Sequence, residues 1–141
     1  MTRRQTVITG ACLCGAVRFE ASGPPRRVTH CHCSMCRRAT GAIAGTFVVF
    51  ESRLVTWFGA AVQRYASSAV AWRGFCATCG SSVCFGFKPR PERAYIALGI
   101  FDDPGAYPAG FHDYPEEKLH WLCLDEHLPS VAQAKQARVE Q

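Results

Sequence analysis

Seven of the nine cysteines fall into three clusters, Cys12-Leu-Cys14, Cys31-His-Cys33-Ser-Met-Cys36 and Cys76-Ala-Thr-Cys79, and no other feature constrains the fold as tightly. Residues two apart on an extended strand face the same side, and a Cys-x-x-Cys knuckle turns two sulfurs toward one ion. Each cluster therefore presents thiols at metal-ligand spacing, and Gly80 after the last one supplies the positive φ that closing a knuckle often requires. An odd total fits an all-disulfide framework poorly. In a reducing compartment such clusters are more often metal-binding or catalytic than disulfide-bonded, so a zinc protein of the cytoplasm is expected.

The clusters differ in what they leave open. Cys31, Cys33 and Cys36 place three thiols within six residues, one short of a tetrahedral shell, and an open position marks a catalytic zinc. Cys12, Cys14, Cys76 and Cys79 would supply the four thiolates of a closed structural site. Spacing alone does not decide the pairing: Cys33 and Cys36 with Cys76 and Cys79 would also make a zinc ribbon, leaving Cys12, Cys14 and Cys31 over. The division into four and three is preferred because it uses all seven thiols, and it predicts two zinc ions, one structural and one catalytic. Cys84, in Ser-Val-Cys-Phe-Gly-Phe, and Cys123, in Trp-Leu-Cys-Leu, stand in apolar stretches and are expected to pack in the core.

A chain of 141 residues is about one domain, expected over 1–141 with a core at about 10–124 and a tail at 125–141. Its 48% hydrophobic and 19% charged content suit a soluble globular protein, and no run approaches the ~18 apolar residues of a membrane span. Arg3 and Arg4 before Val7, Ile8 and Ala11 faintly imitate a signal peptide. Thr6, Thr9 and Gly10 interrupt that stretch, and cleavage would threaten Cys12 and Cys14.

The pattern is mainly β. Val17 to Ala21, Ile43 to Phe50, Leu54 to Phe58, Val70 to Phe75, Ser82 to Phe87 and Ala94 to Gly99 are rich in β-branched and aromatic residues. Gly23-Pro24-Pro25, Pro89 with Pro91, and Asp103-Pro104-Gly105 punctuate them. Ser34 to Thr40 reads as a helical turn stopped by Gly41. Ser130 with Gln133 forms a capping box before a terminal helix over Val131 to Val139.

The formal charge of +5 counts every cysteine as neutral, and two thiolate-zinc sites would lower it to about +2. With no basic stripe interleaved with stacking aromatics, nucleic acid is not an expected partner. A zinc-ribbon adaptor remains the alternative, resting on Arg3, Arg4, Arg26, Arg27, Arg37 and Arg38.

With these residues in view, the chain resembles the glutathione-dependent formaldehyde-activating enzyme family, whose domain also occurs in centromere protein V. The resemblance runs through Gly10-Ala-Cys12-Leu-Cys14-Gly15-Ala-Val17-Arg-Phe19, His32-Cys33-Ser-Met-Cys36-Arg37-Arg38-Ala-Thr-Gly41-Ala42 and Arg73-Gly-Phe75-Cys76-Ala-Thr-Cys79-Gly80-Ser81. More loosely it includes Asp103-Pro104-Gly105, Phe111-His112 and Lys118-Leu-His-Trp121. It implies a β-tent of coiled β-ribbons, a structural zinc on Cys12, Cys14, Cys76 and Cys79, and a catalytic zinc on Cys31, Cys33 and Cys36. The implied activity is a carbon-sulfur lyase reaction joining formaldehyde to glutathione as S-hydroxymethylglutathione, with the same zinc-thiol chemistry on a different thiol or electrophile as a further alternative.

Other residues are expected around that centre. Arg37 and Arg38 follow the three-thiol cluster and are candidates for the glutathione carboxylates, since guanidinium matches carboxylate in bidentate geometry. His32 alternates with Cys31 and Cys33 and should face away from the metal, as a supporting or surface residue. His112, in a loop-like stretch, is a candidate general acid set against an ordinary structural role. Trp57, Trp72, Phe47 and Phe75 are read as core.

Overall fold

The structure, a computed structural model, describes residues 6–133. Ten strands and one α-helix follow in chain order: β1 (Ile8–Ala11), β2 (Val17–Ala21), β3 (Arg27–Cys31), α1 (Ser34–Thr40), β4 (Gly45–Glu51), β5 (Val55–Gly59), β6 (Gln63–Ala66), β7 (Ala71–Phe75), β8 (Ser82–Phe87), β9 (Arg93–Ala97) and β10 (Phe111–Asp113). They form a three-stranded sheet in the order β1-β2-β5 and a seven-stranded sheet in the order β10-β3-β4-β9-β8-β7-β6. Every pairing is antiparallel except that of β10 with β3.

Alternation along the strands separates the large sheet into two unlike faces. On one face Val28, Val48, Phe50 and Ile96 pack against Ile8, Phe19 and Ala21 of the small sheet, with Phe101 closing the cluster. Phe19, Phe50 and Ile96 are fully buried there, each worth about 1.5–3 kcal/mol of hydrophobic stabilisation. A second cluster of Cys12, Val17, Cys76, Val83 and Cys84 joins the β1–β2 turn to the β7–β8 turn.

On the other face the register runs Arg27, Val49, Tyr95, Phe85 and Arg73 across β3, β4, β9, β8 and β7. Thr29 and Phe47 form the next row, and Cys31 opposite Gly45 the row beyond. This face faces a cavity instead of the second sheet.

α1 occupies the expected segment. Cys33 caps it, its Sγ accepting the Cys36 N–H at 3.3 Å, and Gly41 ends it at φ 71°, where a side chain would be strained. Val17–Ala21 and Ser82–Phe87 form with the expected ends and the other expected strands with shifted ones; Ala94 to Gly99 breaks after Ala97 into a 3-10 turn over Leu98–Ile100. β1, β3, β6 and β10 are additional. His112 lies in β10, paired in register with His30, and not in a loop. Cys84 is buried as expected, but Cys123 is exposed: the irregular backbone there turns Leu122 inward and leaves its neighbours outside. Ser130 and Gln133 form the reciprocal capping box, each backbone N–H donating to the other's side-chain oxygen at 3.0 Å, while most of the expected terminal helix lies outside the described residues. No helix among them is long and apolar enough to cross a membrane.

Candidate metal centres

The seven clustered thiols gather into two groups, Cys12 with Cys14, Cys76 and Cys79, and Cys31 with Cys33 and Cys36. The zinc-ribbon pairing of Cys33 and Cys36 with Cys76 and Cys79 is therefore not adopted. Within the groups Sγ to Sγ separations are 3.6 Å for Cys12 and Cys14, 3.8 Å for Cys14 and Cys76, and 3.5 Å for Cys31 and Cys33. A tetrahedron of ~2.3 Å zinc-sulfur bonds has sulfur-sulfur edges of about 3.8 Å, whereas a disulfide would need ~2.05 Å. The spacing suits a shared cation.

The four-thiol group joins two turns far apart in sequence. Gly15, at φ 78°, closes the first by donating to the Cys12 carbonyl at 3.0 Å; Gly80, at φ 76°, closes the second by donating to the Cys76 carbonyl at 2.8 Å. Ser81 links them: its Oγ accepts the Leu13 N–H at 3.1 Å and donates to Cys79 Sγ at 3.1 Å. That hydroxyl bond first, with the backbone N–H groups of Ser81 and Cys14, draws the Cys79 thiol down to about 5.

The three-thiol group stands where β3 runs into α1. Cys31 ends the strand, Cys33 caps the helix and Cys36 returns on the first turn, with Cys31 and Cys36 both buried. Gly45 leaves room beside this group, since a Cβ there would lie 2.7 Å from the Phe47 ring that packs on Cys31 and Cys36. From β7, Arg73 donates to Cys36 Sγ at 3.3 Å. The hydrogen bond from Cys31 first, and then the Arg73 guanidinium, bring the Cys36 thiol down to about 6.

These thiols open into a cavity of about 710 Å³, in the size range of small-molecule sites. Phe47 meets Phe85 edge-on at 4.7 Å, and Phe85 stacks on Tyr95 at 4.4 Å, giving an aromatic floor. Arg27, Arg73, Arg90 and Arg93 line it too, as do Asp113 and Tyr114. Tyr114 holds a left-handed backbone at φ 52°.

Behind β3 a histidine network fixes the strand that delivers Cys31. His112 Nε2 donates to the Asp125 carbonyl at 2.8 Å, so in the neutral ring Nδ1 accepts from His32 Nε2, also at 2.8 Å. His30 Nε2 contacts the Asp125 carboxylate at 2.8 Å, and its Nδ1 lies 2.8 Å from Thr46 Oγ1. His32 is thus a buried support, not a surface residue; its Nδ1 has no partner among the described residues.

Residues 7–117 match the glutathione-dependent formaldehyde-activating enzyme family. The chain belongs to this family. A Halomonas elongata protein named as a candidate glutathione-dependent formaldehyde-activating enzyme is 33% identical over 131 residues, 84% of this chain and 82% of that one. An uncharacterised lyase of Schizosaccharomyces pombe is 32% identical over 92 residues, 65% of this chain and 66% of that one. The fold is shared with a crystal structure of a Rhodobacter sphaeroides protein at a TM-score of 0.56 and 20% identity, covering 87% of this chain and 99% of that one.

In this family member the arginines next in sequence to the cysteines are not those of the cavity. Arg37 and Arg38 lie outside its lining, and Arg38 borders a separate concavity with Tyr65 and Phe75. Trp57 and Trp72 flank a third and pack against the cluster of Cys12 and Cys76, leaving Phe47 as the one of the four named aromatics in the buried cluster of Cys31 and Cys36. Sequence reasoning missed Arg27 because β3 was not read as a strand; period-2 spacing from Cys31 would have placed both on one face. Arg73 stood within the family motif without a role.

Proposed function

We propose that the chain joins a small thiol, glutathione, to formaldehyde, as a carbon-sulfur lyase acting in the synthetic direction. The observation that carries this reading is the three-thiol group, with sulfurs at metal-ligand spacing, opening into a ligand-sized cavity. Family membership supports glutathione and formaldehyde as reactants. The four-thiol group is assigned a structural zinc and the three-thiol group a catalytic one.

When bound at Cys31, Cys33 and Cys36, zinc supplies the positive charge that keeps an incoming thiol ionised. The protein's own groups do the rest. Arg73 holds Cys36 as a thiolate facing the cavity. Phe47, Phe85 and Tyr95 give the reacting atoms an apolar floor that limits competing water. Three thiolates donate strongly to a metal, so this centre suits capture of a fourth sulfur better than activation of water. In the reaction the thiol sulfur forms a bond to the formaldehyde carbon, the carbonyl π pair moves to oxygen, and the thiol proton ends on that oxygen. The product is S-hydroxymethylglutathione.

Replacing Cys31 with serine tests the assignment. The variant should fold, lose about one zinc per chain and slow exchange between glutathione and formaldehyde, measured by NMR, to the rate without protein. Unchanged exchange would contradict the proposal.

A further inference from the structure

The cavity holds more positive charge than the three thiols require. Arg27, Arg90 and Arg93 line it together with Arg73, and only Arg73 touches a cysteine. Glu51, at the end of β4, is engaged elsewhere, pairing with Arg26 at 3.2 Å and with Arg53 on the exterior. Among the described residues no carboxylate lies within 4.0 Å of Arg27 or Arg90, and Arg93 has only Glu92 at that limit. A guanidinium retained on a cavity wall without a carboxylate keeps its bidentate fork available to a ligand.

Their place in the sheet separates them from the sulfur. Arg27 and Arg73 end the same cross-sheet row, and Arg93 stands one strand repeat beyond Tyr95 on the same face. Arg27 precedes Cys31 by two strand repeats, about 13 Å of extended chain. A tripeptide spans about 10 Å, a length that arginine side chains reaching inward can meet. The cavity's acidic groups, Asp113 and Glu117, come from the other side of β3, with Asp113 in register with Cys31 and accepting from Thr29 Oγ1 at 3.1 Å. The lining is therefore polarised, basic on one side and acidic on the other. That pattern complements a zwitterionic thiol with an excess of carboxylate.

We propose that Arg27, Arg90 and Arg93 form an anion subsite that selects thiols bearing carboxylate groups over neutral thiols, a reading that rests on thiol capture at Cys31, Cys33 and Cys36. The cysteines hold the sulfur end of the ligand. The three arginines bind its carboxylates and leave the bond-forming step alone.

Calorimetric titration of the zinc-loaded full chain with glutathione, S-methylglutathione and 2-mercaptoethanol tests this. S-Methylglutathione reads the carboxylate contacts without a free thiol, and 2-mercaptoethanol reads the sulfur contact alone. Arg90→Gln and Arg27→Gln should each weaken both glutathione ligands about tenfold or more, more so at low salt, and leave 2-mercaptoethanol unaffected. Arg26→Gln, on the exterior, should change none of the three. Arg90 is exposed, so its variant keeps the test decisive if Arg27→Gln fails to fold. Unchanged affinity for both glutathione ligands in the double variant, or no binding of S-methylglutathione by the unaltered protein, overturns the subsite. Weakened binding alongside absent formaldehyde exchange upholds the subsite and refutes the chemistry; exchange that ignores the arginines does the reverse.

Discussion

Gly45 is where a single atom decides whether the three-thiol group can assemble. Its missing side chain leaves room for the Phe47 ring that packs on Cys31 and Cys36, and an added Cβ would lie 2.7 Å from that ring. Gly45→Ala is expected to cost about 1–3 kcal/mol, because the Phe47 ring is buried in the cluster with Cys31 and Cys36 and has little room to shift. It should lower zinc retention at the three-thiol group more than at the four-thiol group, as read by chelator competition. Equal loss from both would place the strain elsewhere. Arg73 is the other decisive residue at this scale, the one cation among the described residues in hydrogen-bond contact with the three-thiol group.

At the scale of elements, β3 and β10 together support the three-thiol group. The alternation that turns Cys31 into the cavity turns His30 to the opposite face, and the parallel pairing with β10 brings His112 to meet His32. Burial first, then the neighbouring His112 and His30, hold the His32 imidazole down to about 4 from its ordinary 6.5. An unfolded chain takes up a proton there as pH falls below about 6.5, while the folded one resists until about 4. The stability contributed by neutral His32 is thus complete above that window and lost across it. Urea midpoints between pH 7 and pH 4 should fall less steeply for His32→Gln than for the unaltered protein, and parallel slopes would contradict this assignment.

These two strands also show where the sequence was hard to read. Val28 and Thr29 are good strand formers, but only five residues of β3 separate a proline-rich loop from the cysteine cluster. β10 has three residues, and β6 is exposed throughout, so neither has a hydrophobic alternation to detect. By contrast β2 alternates without exception, and α1 announces both its capped start and its glycine stop. The thiol clusters were legible because ligand spacing is local, and their partition followed from using all seven thiols. The cavity arginines were not, since Arg27 and Arg73 share one row only through strand pairings that join distant parts of the chain.

For the whole molecule, the proposed division makes the four-thiol group the staple and the three-thiol group the tool. Cys12 and Cys14 leave the small sheet, Cys76 and Cys79 leave the large one, and the apolar cluster around them is continuous with the sulfurs. Because a metal held there links both sheets, its binding is part of the folding free energy. Cys76→Ser should lower global stability by on the order of several kcal/mol, far more than Cys31→Ser, in chemical denaturation of zinc-loaded protein. Similar losses for the two would erase the division of labour.

The most direct test of that division is zinc K-edge X-ray absorption on the fully loaded protein, counting sulfur ligands per zinc before and after glutathione is added. Four thiols in one group and three in the other predict an average of about 3.5 sulfurs per zinc, rising to about 4 when a glutathione thiol completes the open centre. An average that stays at about 3.5 under saturating glutathione would contradict thiol capture.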